Sequence, residues 1–419
     1  MLKRLLSAAM ALLMAAALVG CSQTEAPSQH DSSASKSAYI NKAGKSAPIA
    51  VYASSTAPEI SAEYSARYTE VNNSFAARMA NSVDPGANCV FSPFSLQIAL
   101  QVLAAGGNEE TEKAVLDSIC PGLTREDVKA SSAKLIEMLA RTKGFNMNSA
   151  VVANNSYMIC EEFANTAADY YRASVGAIDF SDPQKASQQI NKWICENTDG
   201  LVKELVDNLG PDTVMVILNA LTLKLEWEKP FNALKDEAEF RGAEGSAYVP
   251  MISSSDAYEY GAFDEGEMLL VPYKGGDYKL AVILPAKDMT PAAAAAALMG
   301  RFGECLPSNV LLKMPKIKID TKLDIIPMAK KLGIEPAVNG IYTRLVSSDS
   351  ASVTRILQGA SLSVDEYGTM AAAATAIIAS KGVSLPAERE FVCDRPYAMV
   401  IYHADTGAVM FVSTVNNVG

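Results

Sequence analysis

Leu362-Ser363-Val364-Asp365-Glu366-Tyr367-Gly368-Thr369-Met370-Ala371-Ala372-Ala373-Ala374-Thr375-Ala376-Ile377-Ile378 is the stretch whose reading decides the fold. By propensity alone, four consecutive alanines predict a helix buried against close neighbours. The setting allows another reading, because 355–365 is a β-rich run that leads straight into the alanines. As a strand, Thr369, Ala371, Ala373, Thr375 and Ile377 share one face, and Met370, Ala372, Ala374, Ala376 and Ile378 share the other. Small residues on both faces suit a segment that must enter an existing sheet, since overpacking an interior costs about 1–3 kcal/mol per site.

Outward from this stretch, the patterns divide the chain. Tyr68, Val71, Phe75 and Met79 recur at helical spacing, which predicts a helix over 64–81. Ser92-Pro93 opens a second helix with Leu96, Ala99, Leu100 and Leu103 on one face, stopped by Gly106-Gly107. Further helices are expected at 109–119, 124–142, 163–174 and 185–197. The β-rich runs are 150–160, 214–227, 267–271, 278–284, 310–319, 355–365, 390–402 and 408–415. Helices dominate the first half and strands the second, so the fold class is α+β rather than alternating βαβ. The alanine run 292–297 after Pro291 has a surface helix as its ordinary explanation. No internal repeat is found.

Val364-Asp365-Glu366-Tyr367-Gly368-Thr369-Met370-Ala371-Ala372-Ala373-Ala374-Thr375-Ala376 resembles the proximal hinge of inhibitory serpins. Four more segments carry the likeness in the family's order. Asn88-Cys89-Val90-Phe91-Ser92-Pro93-Phe94-Ser95 is similar to the shutter motif that opens the second helix. Leu218-Asn219-Ala220 and Trp227-Glu228-Lys229-Pro230-Phe231 are similar to the strand that carries the shutter Asn and the breach Trp. Met314-Pro315-Lys316-Ile317-Lys318-Ile319 with Leu332-Gly333-Ile334 fits the later strand–helix signature. Phe391-Val392-Cys393-Asp394-Arg395-Pro396-Tyr397 fits the C-terminal one. There are departures: Gln358 stands where many members have a shutter histidine, Met370 replaces the usual acidic residue, and Tyr397 replaces Phe.

The resemblance implies a serpin fold: a helical N-terminal half, a central five-stranded sheet, further smaller sheets and an exposed reactive loop over about 367–390. It implies no catalytic nucleophile, cofactor or metal. It implies instead a suicide substrate that a serine protease cleaves and becomes esterified to, with some cysteine proteases as a further covalent partner class. The hinge residues Glu366, Gly368, Thr369, Ala371, Ala372, Ala373, Ala374 and Thr375 would then enter the sheet past the shutter and breach residues Ser92, Ser95, Asn219, Trp227 and Gln358. Thr369 is expected to enter first. Family loop length counted from Glu366 places the cleaved bond at Gly382–Val383, with Lys381, Ala379 and Ile378 as alternatives for the residue a protease grips. The mostly small, apolar segment favours elastase- or subtilisin-like targets, and Lys381 would suit a trypsin-like one. The alternative within the family is a non-inhibitory serpin acting as a binding or chaperone-like protein.

Composition narrows the remaining classes. The chain has 419 residues, 49% of them hydrophobic, and 36 basic against 47 acidic residues give a formal net charge of -11. That surface argues against nucleic acid, whose phosphates need clustered Lys and Arg. With only two histidines, His30 and His403, a Ser/His or Cys/His hydrolase would have to be built on His403, which sits on an apolar strand and reads as structural. Cys89, Cys120, Cys160, Cys195, Cys305 and Cys393 form no CxxC pair and fit no zinc spacing.

Lys3 and Arg4, an apolar run over 5–19 and the small residues before Cys21 have the order of a secretory signal. The end resembles a bacterial lipobox with Cys21 as its lipid site; an ordinary cleaved signal with an incidental cysteine is the plainer alternative. Residues 22–57, rich in Ser, Ala, Lys and Pro, read as a flexible spacer. The expected organisation is a signal peptide over 1–20, a lipidated tether over 21–57 and one domain over 58–419. The protein is expected to be an exported monomer, held at the bacterial cell envelope or surface by its lipid alone.

Overall fold

The computed structural model describes residues 62–207, 209–348, 351–369 and 387–418. Its centre is the helix Pro93–Gly106, of whose residues all but Ala105 are buried. Ser92 starts this helix: its side chain accepts the backbone N–H of Ser95, and Pro93 occupies a first-turn position where no donor is needed. Helices Ala62–Ala80, Glu109–Ile119 and Glu161–Tyr171 pack around it.

Over this helical layer lies the central sheet. Its strands run in the order Ser174–Ile178, Phe145–Asn154, Met215–Leu223, Arg355–Val364 and Ile317–Asp324. Met215–Leu223 continues past Lys224 as the short strand Leu225–Glu226. The middle pair, Met215–Leu223 and Arg355–Val364, is parallel and touches over five registers only, from Arg355↔Val216 to Gly359↔Ala220. Beyond Gly359 the two strands part. On the opposite face, helix Pro183–Asn197 and the segment after it form a second, smaller core. There Ile190, Trp193, Val202 and Leu205 cover Val216, Leu218, Ala220 and Leu357.

A second, nine-stranded sheet contains the C-terminal strands Tyr397–His403 and Val409–Val415, and ends on Arg389–Val392. A separate hairpin pairs Ala238–Gly242 with Gly245–Val249. The central five-stranded sheet and the α+β class therefore stand as expected from the resemblance. Several boundaries do not. The run 310–319 is two strands in two sheets, Leu306–Pro315 and Ile317–Asp324, divided at Lys316. The run 390–402 is likewise two, because 393–396, ending in Pro396, lies between Arg389–Val392 and Tyr397–His403. The alanine helix is Pro291–Leu298, capped by Thr290, and it is not merely a surface helix: Ala292, Ala294, Ala295 and Leu298 are buried. Cys89, in the strand Cys89–Phe91, and Cys393, just past Arg389–Val392, are buried and unbridged, as small hydrophobes.

His403 is structural. It is 4% exposed, its ring meets Tyr278 edge-on, and Nδ1 lies 3.1 Å from the Thr406 hydroxyl. Burial depresses its pKa from the ordinary value, outweighing the opposite pull of Asp405 and Asp277. The folded state thus favours the neutral ring, and as pH falls through about 6.5 the unfolded chain takes up the proton first. Urea unfolding between pH 7.5 and 5.5 should show stability falling with pH, and His403→Gln should flatten that dependence.

Candidate functional site

Five buried side chains lock the middle of the central sheet to the helix beneath it. Gln358 and Asn219 stand opposite one another on the two parallel strands. The Gln358 amide donates to Asn219 Oδ1 at 2.8 Å and to the Ser92 carbonyl at 2.8 Å, while its own oxygen accepts the Ser92 N–H at 3.0 Å. Ser95 donates its hydroxyl to Asn219 Oδ1 at 2.6 Å, and Asn219 Nδ2 donates to the Ser95 carbonyl and to Ser149 Oγ. The glutamine at 358 therefore serves the network fully, with its amide supplying both a donor and an acceptor. Ser149 was not visible in the sequence, where a lone serine in a strand carries no signal.

The second cluster lies where the strands part. The Trp227 ring is stacked between Phe231, at 5.1 Å, and Tyr273, at 4.7 Å. Its Nε1–H donates to the Asp365 carbonyl at 2.9 Å. The Asp365 carboxylate then folds the chain back on itself by accepting the N–H groups of Tyr367 and Gly368, at 2.8 and 3.1 Å. Two more backbone bonds fix the turn: Trp227 N–H to Tyr367 O, and Phe231 N–H to Glu366 O. Lys316 forms an ion pair with Glu366. Burial pushes the Glu366 carboxyl upward, but the Lys316 hydrogen bond and charge outweigh it and hold the group below its usual range.

The turn delivers Gly368–Thr369 into the gap as a short strand. Thr369 stands opposite Val364 on one side and Leu225 on the other, both antiparallel. Thr369 is fully buried, and its hydroxyl shares a 2.5 Å hydrogen bond with the Tyr273 hydroxyl. A Cβ on residue 368 would fall 1.9 Å from the Leu225 carbonyl oxygen, so only glycine fits there. Two expectations are corrected here. Thr369 is not the first residue still to enter; it is already seated. The span expected to be exposed, about 367–390, is also narrowed at both ends, since Gly368–Thr369 is paired in the central sheet and Arg389–Val392 is paired with Leu306–Pro315. The sequence could not show this, because Thr369 is drawn in by Tyr273, a residue no motif had singled out.

Of the remaining site residues, Ser92, Ser95, Asn219 and Gln358 meet in the first cluster, and Trp227 and Glu366 in the second. Ala371, Ala372, Ala373, Ala374, Thr375, Ile378, Ala379, Lys381, Gly382, Val383 and Cys21 lie outside the described residues.

Residues 70–418 match the sequence model of the family described as Serpin (serine protease inhibitor). The chain belongs to the serpin family. Among curated relatives, antichymotrypsin-2 of Bombyx mori is 30% identical over 329 residues, covering 73% of this chain and 86% of that protein. Human serpin I2 is 23% identical over 351 residues, covering 79% and 86%. Among solved structures, the thermophilic serpin tengpin in its native state gives a TM-score of 0.77 at 21% identity, over 89% of this chain and all of that one. Human thyroxine-binding globulin complexed with thyroxine gives 0.75 at 21% identity, over 84% and 99%. At these identities the solved structures establish the fold alone. The residues the resemblance gave to the shutter thus meet in the first cluster and its breach residue Trp227 in the second, and serpins are generally protease inhibitors rather than enzymes.

Removing one partner of a buried pair leaves the other unsatisfied, at a cost of about 1–3 kcal/mol. Tyr273→Phe and Thr369→Val should each destabilise the resting protein by about that much. The double variant, which removes both hydroxyls, should cost clearly less than the sum. Urea unfolding of the four proteins measures this cycle, and strict additivity would show that the hydroxyl pair does not hold Thr369.

Proposed function

We propose that this serpin is a suicide-substrate inhibitor of serine proteases, which traps its target by completing the sheet that Gly368–Thr369 has begun. The observation that carries this reading is the pair of registers at Thr369. Each step along the hinge is one step back along both neighbours. Continued in this way, Ala371 falls between Leu223 and Leu362, and Ala373 between Leu221 and Ala360, all four of which are buried core positions. On the opposite face, Ala372 falls between Thr222 and Ser361, and Ala374 between Ala220 and Gly359. A side chain on Gly359 would meet Val202 Cγ1 at 2.8 Å, so that layer has room for little beyond a methyl group. The alanines are the residues this slot demands.

Thr375 falls between Asn219 and Gln358. A hydroxyl there can replace the direct bond between the two amides, donating to one side chain and accepting from the other. Entry beyond Ala373 must first break the parallel pairing of 355–359 with 216–220, which is the barrier that keeps the uncut form waiting. Completion exchanges five parallel registers for two antiparallel ladders. A form that is stable only behind a barrier is what a kinetic trap needs.

In this reading a protease attacks the loop carbonyl at Gly382, the acyl-enzyme ester forms, and the freed hinge inserts before water can hydrolyse the ester. From Glu366 to Gly382 is sixteen residues of reach, about 50–55 Å as extended strand. The small, apolar residues of 378–383 favour an elastase- or subtilisin-like pocket, with Lys381 open to a trypsin-like one. We further propose that the protein is exported and held at the envelope by lipid on Cys21. Within the described residues no helix is long and apolar enough to cross a membrane.

Incubation with elastase, subtilisin and trypsin, followed by a denaturing gel, should reveal a complex that survives boiling. Clean cleavage without complex would instead mark a non-inhibitory, substrate-type serpin. Ala373→Pro deletes a ladder donor from what becomes a central strand, and Thr369→Arg places a charge where no water reaches. Both variants should be cut at the parental bond while yielding little complex; undiminished trapping would refute insertion as the mechanism. Cleavage of the parent should raise its melting temperature by a large step.

Fractionation of cells making Cys21→Ser should find the protein moved from membranes to the soluble fraction with inhibition unchanged. Retention in the membrane fraction would rule out lipid on Cys21.

A further inference from the structure

The face of the central sheet that helix Pro183–Asn197 covers changes character halfway along. Over one half, Val202 and Leu205 lie in the small core with Leu218, Ala220 and Leu357. Past Ala220 and Gly359, where the middle strands part, the same face turns polar. By strand alternation Lys224 continues it on one side of the gap, and Ser361 and Ser363 on the other. Lys322, Asp320 and Lys318 stand opposite Gly359, Ser361 and Ser363 on the next strand.

A cleft of about 910 Å³ opens over this polar half. Its floor is Ala360, Ser361 and Ser363, one wall is the strand Ile317–Asp324, and the other is the segment 200–204. That segment is pinned on both sides. Thr198 Oγ1 accepts the Val202 N–H at 3.1 Å, and Asn191 Oδ1 accepts the N–H groups of Leu205 and Val206 at 2.8 and 2.9 Å. Lys203 and Glu204 are exposed between the two anchors.

Charge is concentrated here against the trend of the molecule. Lys203, Lys224, Lys318 and Lys322 line the cleft against two carboxylates, Glu204 and Asp320, in a chain whose net charge is -11. The two carboxylates neutralise little. Lys322 is 3.9 Å from Glu204 and Lys318 is 3.8 Å from Asp320, in pairs whose side chains are all at least half exposed, and such pairs contribute little. Asp320 is further engaged by the Ser361 hydroxyl. Lys224 holds Asp199 at 2.9 Å and has further donors to offer. Among the described residues no carboxylate lies within ion-pair distance of Lys203. Lysines are point charges that suit phosphate oxygens. Lys318 and Lys322 are four residues apart on a strand, about 13 Å, so one phosphate cannot pair with both. The anion that fits carries several charges in a row.

We propose that this cleft binds a linear multivalent phosphate anion, a short polyphosphate chain, and that the bound anion clamps the sheet shut. The bridge runs from Lys224, on the Met215–Leu223 side of the gap, beneath Lys203, to Lys318 and Lys322 beyond Arg355–Val364. A hinge entering past Thr369 must widen that gap. An anion that holds both sides binds the narrow sheet more tightly than the widened one, and by linkage it opposes entry to the same degree. The clamp rests on the inhibitory reading; the site itself does not.

Titration calorimetry of the uncut protein with tripolyphosphate at low salt tests the site. Binding should saturate, weaken as sodium chloride is raised, and lift the melting temperature of the uncut protein by about 2–4 °C at saturation. Lys318→Gln combined with Lys322→Gln should weaken binding about tenfold, while Lys113→Gln, an exposed change on helix Glu109–Ile119, should leave it unaltered. No binding by the parent, or undiminished binding by the double variant, would overturn the site. Inorganic phosphate binding as tightly as tripolyphosphate would overturn the bridge. The clamp is read from the number of inhibitor molecules consumed per protease, which saturating tripolyphosphate should raise severalfold for the parent and leave unchanged for the double variant. Binding without that rise would overturn the clamp and leave the site standing. A parent that binds the anion yet traps no protease would overturn the inhibitory reading and the clamp together, again leaving the site.

Discussion

The bond between Gln358 and Asn219 is the constraint on which the rest depends. It joins two parallel strands at the midpoint of the sheet, and through Ser92, Ser95 and Ser149 it ties them to the buried helix and to a third strand. Such networks strengthen when every member is satisfied and become costly when one is lost. One register further, at Gly359 and Ala220, the direct pairing of Met215–Leu223 with Arg355–Val364 ends, and the sheet opens. Below it, the small core around Trp193 covers the strands from the other side. The protein is thus closed at the waist and open at one end, with Gly368–Thr369 already in the opening.

The breach supplies the direction. Trp227, Tyr273 and Phe231 form a rigid aromatic stack, and its polar edges hold the hinge in register: the indole on Asp365, the phenol on Thr369. Stacked rings contribute through their area, and their polar handles add position. A hinge fixed in this way cannot slip by one residue, and slippage by one would turn every alanine to the wrong face. In the proposed insertion, the seating of these two residues would set the register of those that follow.

Much of this was legible in the sequence, for reasons that can be stated. The alternation of small residues after Gly368, the Ser-Pro start of the central helix, and the isolated Asn219 and Trp227 in apolar strands are local patterns. Local patterns survive in a single chain. Ser149 was not legible because its partner is 70 residues away and a strand serine looks like any other. The long strand Met251–Phe263 was missed because Ser253, Ser254 and Ser255 interrupt any alternation, while its pairing with Leu306–Pro315 decides the matter. Tyr273 escaped notice for the same reason: its meaning comes from Thr369, across the fold. Strand breaks at Lys316 and Pro396 were read through because apolar residues continue on both sides.

The shutter has one more property, which lies in what its members are. Serine, asparagine and glutamine carry no proton that comes or goes near neutrality, so the latch has no acid–base coordinate. A histidine at position 358 would have made the waiting time a function of acidity. With glutamine there, the latch itself holds no group that titrates near neutrality, and what acid can reach lies elsewhere, at Glu366 and His403.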